Sequence, residues 1–139
     1  MITGEDIVAE AQTWIGTPFH HGGRVKNVGA DCLGIIVGVA KSLGLAHKDR
    51  VAYPLRANGT LQPELDRQLL RIPIPNRVPG DILLMTFDNQ PHHVAFFCGE
   101  FIIHAFAEIH TRRCLSQPFD DYWLSKTVAV YRFNEVNNG

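Results

Sequence analysis

"HHVAFFCGEFIIHAF", residues 92–106, holds two apolar runs on either side of Gly99–Glu100. A two-residue connection containing glycine between such runs marks a β-hairpin. With Gly99–Glu100 as the turn, Cys98 faces Phe101, Ala95 faces His104 and His93 faces Phe106. Paired residues share a face of the sheet, and alternation carries that face along each strand. His93 and His104 then point to one side as diagonal neighbours, about 7–8 Å apart at the backbone and within reach of two imidazoles. A three-residue turn would reverse the parity and separate them. His92 falls on the opposite face, as a solvated strand start.

Working outward from the hairpin, "DILLMTF" (81–87), "IHTRRCL" (109–115) and "TVAVYRF" (127–133) complete a set of five expected strands. Upstream of Gly80 the period changes from 2 to 3.6. Thr3 and Asp6 form a variant capping box, and Ile7, Val8, Ala11, Trp14 and Ile15 line one face of a helix over 3–15. Gly16 and Pro18 stop it. A second helix over 31–42, ending at Gly44, is apolar nearly all round and is therefore buried. Pro63 with "ELDRQLLR" (64–71) starts a third. "IPIPNRVPGD" (72–81) is a proline-rich connection that cannot be helix, and "TPFHHGGRVKNVGAD" (17–31) is a long polar loop of the kind that tends to carry function. Helices first and antiparallel strands after them describe an α+β domain with segregated layers. Residues 1–139 are expected to form one domain, with 134–139 as a frayed tail.

Composition narrows the function. The chain has 139 residues, 45% apolar and 19% charged, with a net charge of −1. There is no basic block to suggest nucleic-acid binding. The longest apolar runs are too short to span a bilayer. The start, "MITGEDIVAE", lacks the cationic and apolar regions of a signal peptide, so cytoplasmic synthesis is expected. Three cysteines without paired spacing argue against a disulfide scaffold or a closed zinc site. Cys98 and Cys114 read as strand residues, and Trp14, Trp123 and Tyr131 as core or groove-rim residues.

Cys32 is different. Asp31 is a preferred N-cap, which puts Cys32 at the first position of the buried helix. Helix N-termini favour anions and lower cysteine pKa values, so the position suits a nucleophile. It equally suits a buried small side chain, since free cysteine is among the most buried residue types. The hairpin supplies what a nucleophile lacks. His93 can act as base, and His104 can orient its imidazole in a Cys–His–His arrangement. A metal site built from Cys32, His93 and His104, with His20 or His21, is an alternative use of the same residues.

The segments "WIGTPFHHGG", "GADCLGIIVGV", "VPGDILLM", "HHVAFF" and "FIIHAF" occur in the order of the NlpC family of cell-wall cysteine peptidases. The chain resembles that family over most of residues 1–133, and is most similar to its phage-tail and gene-transfer-agent branch. The resemblance implies a papain-like α+β fold, with the nucleophile helix packed on the C-terminal sheet. It further implies hydrolysis of peptidoglycan stem peptides, typically between D-γ-glutamate and a diamino acid, without a metal or organic cofactor. By motif, Cys32 is the nucleophile, His93 the general base and His104 the orienting residue. Asp31 matches a position that helps bind a substrate amine in relatives, or is simply the N-cap. Two residues depart from the common pattern: Phe19 stands where Tyr is usual, and Leu33 where many members have Ser. Phe19 removes a donor, for which His20 or His21 could substitute. Expected partners are peptidoglycan or muropeptides and phage-tail proteins. The rival readings are a tail-tip structural component, and an amidase or acyltransferase on the same fold. A wall hydrolase without a signal peptide is expected either to travel in a phage particle or to act on imported muropeptides.

Overall fold

In a computed structural model, residues 1–45, 60–87, 90–107 and 112–138 are described. The described residues form four helices and eight strands: α1 (Gly4–Gln12), β1 (Arg24–Val25), β2 (Gly29–Ala30), α2 (Cys32–Leu43), α3 (Leu61–Gln68), β3 (Leu70–Ile72), β4 (Ile82–Phe87), β5 (Gln90–Phe97), β6 (Phe101–Phe106), β7 (Arg113–Pro118), α4 (Asp121–Lys126) and β8 (Thr127–Arg132), of which β1, β2, β3 and α4 were not expected. A short 3-10 turn, Ile74–Asn76, lies inside the proline-rich connection that had been expected to carry no helix. The main sheet is antiparallel, ordered β3-β8-β4-β5-β6-β7, with six strands where about five were expected.

Local chemistry explains the helix ends. Thr3 and Asp6 exchange side chain-to-backbone bonds in a capping box at α1. Asp31 caps α2 through the Gly34 N–H, and Gly44 closes it in the left-handed conformation. Helix α3 ends three residues early. Leu69 is already extended, and Leu70–Ile72 pair with β8 as an edge strand.

The sheet is buried on both faces, which is why "ILLM" in β4 is apolar without alternation. On one face Ile82, Leu84, Val94, Phe96 and Ile103 pack under Ile7, Ile35 and Val39 of α1 and α2. On the other, Leu83, Met85, Ala95, Phe97 and Ile102 lie under Trp123 of α4. Gly38 lets α2 meet the turn after α1 closely, because a Cβ there would fall 2.1 Å from a ring carbon of Trp14. The edge of β7 is covered by the loop after α1, through Gly16 N–H to the Cys114 carbonyl (2.8 Å) and Cys114 N–H to the Thr17 carbonyl (2.7 Å). Asp81, of the "VPGD" segment, is buried and takes a two-pronged bond from Arg132 Nε and Nη2 at 2.7 and 2.9 Å. The tail is docked rather than frayed: Asn138 Oδ1 accepts from Gly4 N–H at 2.8 Å, and Asn137 N–H bonds to the Ile2 carbonyl.

Candidate active site

Helix α2 begins where the polar loop turns back on itself. That loop carries a small β1–β2 ribbon where an irregular segment was expected, with Arg24 opposite Ala30. The Asp31 carboxylate gathers the turn together. Its Oδ1 accepts from Gly34 N–H (2.8 Å) and Arg24 Nη1 (3.0 Å), and its Oδ2 accepts from Gly22 N–H (2.8 Å). Gly34 must be glycine, because a Cβ would lie 2.2 Å from the Gly23 carbonyl oxygen. Asp31 is therefore the N-cap, and its charge is already matched by Arg24.

Cys32 is half-buried at the first turn of α2, and the backbone N–H groups of Leu33 and Val94 face its sulfur. Val94 follows His93 directly in β5. The expectation of a lowered cysteine pKa is not met. Burial of the sulfur, with the Asp31 charge next to it, pushes the Cys32 thiol up to about 11; the two N–H groups and Arg24 offset only part of this.

The hairpin has the expected register. Phe96 pairs with Ile103, Phe97 with Ile102, and Cys98 N–H bonds to the Phe101 carbonyl across a turn in which Gly99 has φ +93°. His93 and His104 do share a face, and His93 Nε2 lies 2.7 Å from His104 Nδ1. That separation is a hydrogen bond between the rings, not two lone pairs converging on a metal; among the described residues no His, Cys, Asp and Glu group has the arrangement of a metal site. His92 departs from its expected place. A bulge pairs Met85 with His93 but Thr86 with Pro91, and both His92 and His93 meet the Phe87 ring edge-on, at 6.0 and 5.8 Å. The extra residue breaks the alternation beside the site.

Aromatic side chains enclose the imidazole pair. Phe106 stacks on His104 with centroids 5.2 Å apart, Trp123 meets it edge-on at 5.1 Å, and Phe87 and Phe106 flank His93. Both histidines are buried. Loss of hydration holds His93 well below the ordinary imidazole range, helped by repulsion from His104 and His92. It brings His104 down to about 4, with the Gln117 hydrogen bond acting in the opposite sense. His104 Nε2 lies 2.7 Å from Gln117 Oε1. Gln117 was not among the expected site residues, because the expected strand stopped at Leu115, and residues 109–111 of that strand lie outside the described residues. The register that pairs His104 with Leu115 and Ile102 with Gln117 would have placed Gln117 on the same face.

Of the other candidates, Phe19 and His20 lie alongside the residue two before the cysteine. Phe19 bridges Ala30, and His20 N–H bonds to the Ala30 carbonyl. The Phe19 ring carries Arg112 at 5.9 Å. His20 is exposed and His21 half-buried, while Leu33 packs against the first core cluster.

These buried groups make stability depend on pH. Unfolded histidines bind a proton near pH 6.5, whereas folded His104 does so only near 4 and His93 also resists it. The unfolded chain therefore holds more protons below 6.5, and stability falls as pH drops from 6.5 toward 4, by about 1.4 kcal/mol per unit for each site titrating. Cys32, raised to about 11, and Cys98 and Cys114, raised to about 12, keep protons that unfolded thiols lose near 9. Stability therefore also falls as pH rises above 9. Urea denaturation at pH 4.5, 7.5 and 10 is expected to give its highest midpoint at 7.5. Equal midpoints at 4.5 and 7.5 would contradict buried, neutral imidazoles.

No protein-family profile matches the chain. A γ-DL-glutamyl hydrolase of Bacillus subtilis (strain 168) is 29% identical over 135 residues, covering 94% of this chain but only 29% of that protein. The chain thus spans less than a third of that relative. Among solved structures, a NlpC/P60 family protein from Bacillus cereus superposes with a TM-score of 0.70 at 22% identity, over 94% of this chain and 40% of that one. The NlpC/p60 domain of the peptidoglycan hydrolase SagA gives 0.66 at 23% identity, over 95% of this chain and 100% of that domain. The peptidoglycan hydrolase RipB from Mycobacterium tuberculosis gives 0.64 at 18%, over 93% and 63%. With a helix-mounted cysteine, a sheet-mounted histidine pair and these superpositions over nearly its full length, the chain has the papain-like α+β fold of the NlpC/P60 proteins.

Proposed function

We propose that the chain is a cysteine peptidase of cell-wall stem peptides, cleaving the bond between D-γ-glutamate and a diamino acid. The observation that carries this is the His93–His104 hydrogen bond of 2.7 Å, beside a cysteine whose sulfur faces the Val94 N–H. The γ-glutamyl bond is supported by the B. subtilis relative, whose name states that specificity. In this reading Cys32 attacks the scissile carbonyl as His93 takes its proton. Backbone N–H groups at the start of α2 hold the oxyanion, and His93 returns the proton to the leaving amine. Water then releases the thioester. His104 orients His93.

Asp31 serves this site as a positioning residue. Arg24, Gly22 and Gly34 already donate to its carboxylate, which supports a positioning role over the binding of a substrate amine. Phe19 offers no hydroxyl donor, so oxyanion stabilisation rests on backbone N–H groups. The finer assignment, to an enzyme carried by phage-like tails, is supported by Leu33 after the nucleophile. It makes tail proteins the partners that deliver the domain.

The test is incubation with muropeptides and with poly-γ-glutamate, followed by mass spectrometry of the products. New termini at γ-D-glutamate in the muropeptides are expected. Intact muropeptides would overturn the reading in favour of a structural tail component, and cleavage of poly-γ-glutamate alone would move the substrate from the wall to a γ-glutamyl polymer.

A further inference from the structure

We propose that Gln117 is a positioning residue that sets the direction of the hydrogen-bond chain Gln117–His104–His93, so that His93 presents a bare Nδ1 at the cysteine end. The proposal rests on the peptidase reading above and adds a member that the sequence motifs do not contain.

The geometry is a diagonal across three strands. Leu115 lies opposite His104, and Gln117 is two residues farther along β7 on the same face. Across the hairpin on the other side, His93 stands in the matching diagonal position on β5, given the pairing of Phe96 with Ile103. Two bonds of 2.7 Å join the three side chains in series, from Gln117 Oε1 to His104 Nε2 and from His104 Nδ1 to His93 Nε2. Diagonal neighbours are ordinarily too far apart for short side chains, and imidazole and glutamine are long enough to close the gap.

A neutral imidazole has one N–H and one lone pair, so the direction of one bond dictates the next. Gln117 Oε1 can only accept, so His104 carries its proton on Nε2 and has its lone pair on Nδ1. That lone pair accepts from His93 Nε2–H, which leaves the His93 Nδ1 lone pair unprotonated. Were the Gln117 amide turned round, its NH2 would donate to His104 Nε2 and every bond would reverse. His93 would then carry its proton on Nδ1 and could not act as a base there. The amide orientation is thus equivalent to a statement about which nitrogen of His93 reacts.

Both rings are buried among Phe87, Phe106 and Trp123, and Gln117 Oε1 is the side-chain acceptor within hydrogen-bond distance of His104 Nε2. A buried donor left unpaired is costly, so removal of Gln117 favours the reversed tautomer or a displaced ring. The effect belongs to the reaction step and not to substrate binding.

The test combines nitrogen-detected NMR of the histidine rings with kinetics of three proteins: wild type, Gln117→Glu and Gln117→Leu. In wild type, both His93 and His104 are expected to be protonated on Nε2, with a bare Nδ1 on each; Nδ1 protonation of either ring overturns the proposal. Gln117→Leu is expected to lose about 10- to 100-fold in kcat with little change in KM. Gln117→Glu, which can only accept, is expected to keep the wild-type tautomers and most of the activity. Loss in both variants with unchanged tautomers would show a structural role only and overturn it. The ring tautomers are read without substrate. If they follow the prediction while muropeptides stay intact, the peptidase reading fails and the relay stands.

Discussion

Cys32→Ala is expected to lower the rate of stem-peptide cleavage by at least about 10⁴-fold, to the residue of catalysis that backbone donors and binding alone provide. The substitution is chemically narrow. Position 32 is the first residue of α2, alanine is the best helix former, and Asp31 still caps the helix through Gly34. What is lost is the sulfur beside the Val94 N–H. Stability should stay within about 1 kcal/mol of wild type, since a half-buried thiol contributes little packing. Product mass spectrometry and a urea denaturation curve on the same preparation separate the two effects. Equal product from both proteins would remove Cys32 from the mechanism. Alkylation of the folded wild type offers an independent check: Cys98, at the β5–β6 turn, and Cys114, in β7, are both buried, so the single modified residue should be Cys32.

The parts of this site that follow local rules were legible in the sequence. Asp31 and Gly44 bound α2 through chemistry that each residue carries by itself, a carboxylate acceptor and a left-handed backbone. Hairpin parity needed only the length of the Gly99–Glu100 turn, and it brought His93 and His104 together as expected. What escaped depends on tertiary context. Leu70 and Arg71 continued the helical pattern of α3, and only the free edge of β8 makes Leu70–Ile72 a strand. Helix α4 has six residues, too few for a period, although Asp120 caps it at Trp123 N–H. Gln117 is an ordinary polar residue until β6 sets its register. The Cys32 pKa escaped for a similar reason. The helix terminus favours an anion, but removal of the sulfur from water and the Asp31 charge outweigh it, and neither magnitude can be read from a motif.

The same balance gives the site its working principle. Asp31 organises the loop and caps the helix, yet its charge raises the pKa of the thiol it positions. Arg24 offsets part of that charge through its ion pair with the Asp31 carboxylate. The two core clusters meet at β5, where Cys32 belongs to the helix side and the histidines to the aromatic side. Cys32 and the two histidines are thus held by different layers, so their relative placement depends on how α2 packs on the sheet.

His93→Gln is expected to show whether this resting site is a neutral thiol and imidazole or a preformed ion pair. With the thiol at about 11, the thiolate fraction at pH 7 is about 10⁻⁴, from the difference 7 − 11 = −4. Without a base the enzyme must use that fraction, so kcat/KM at pH 7 should fall about 10³- to 10⁴-fold. Glutamine retains an amide that can donate to His104 Nδ1, so the aromatic enclosure should survive while proton acceptance is lost. The variant's rate should then climb about tenfold per pH unit between 7 and 9, as thiolate is populated. Wild type should be flat over the same interval, because His93 is held well below 6.5 and is already neutral throughout it. Rates measured across that range with one muropeptide decide the matter. A variant whose rate is as flat as that of wild type would mean that the thiolate exists without help from His93, and the general-base role would then fall to another residue.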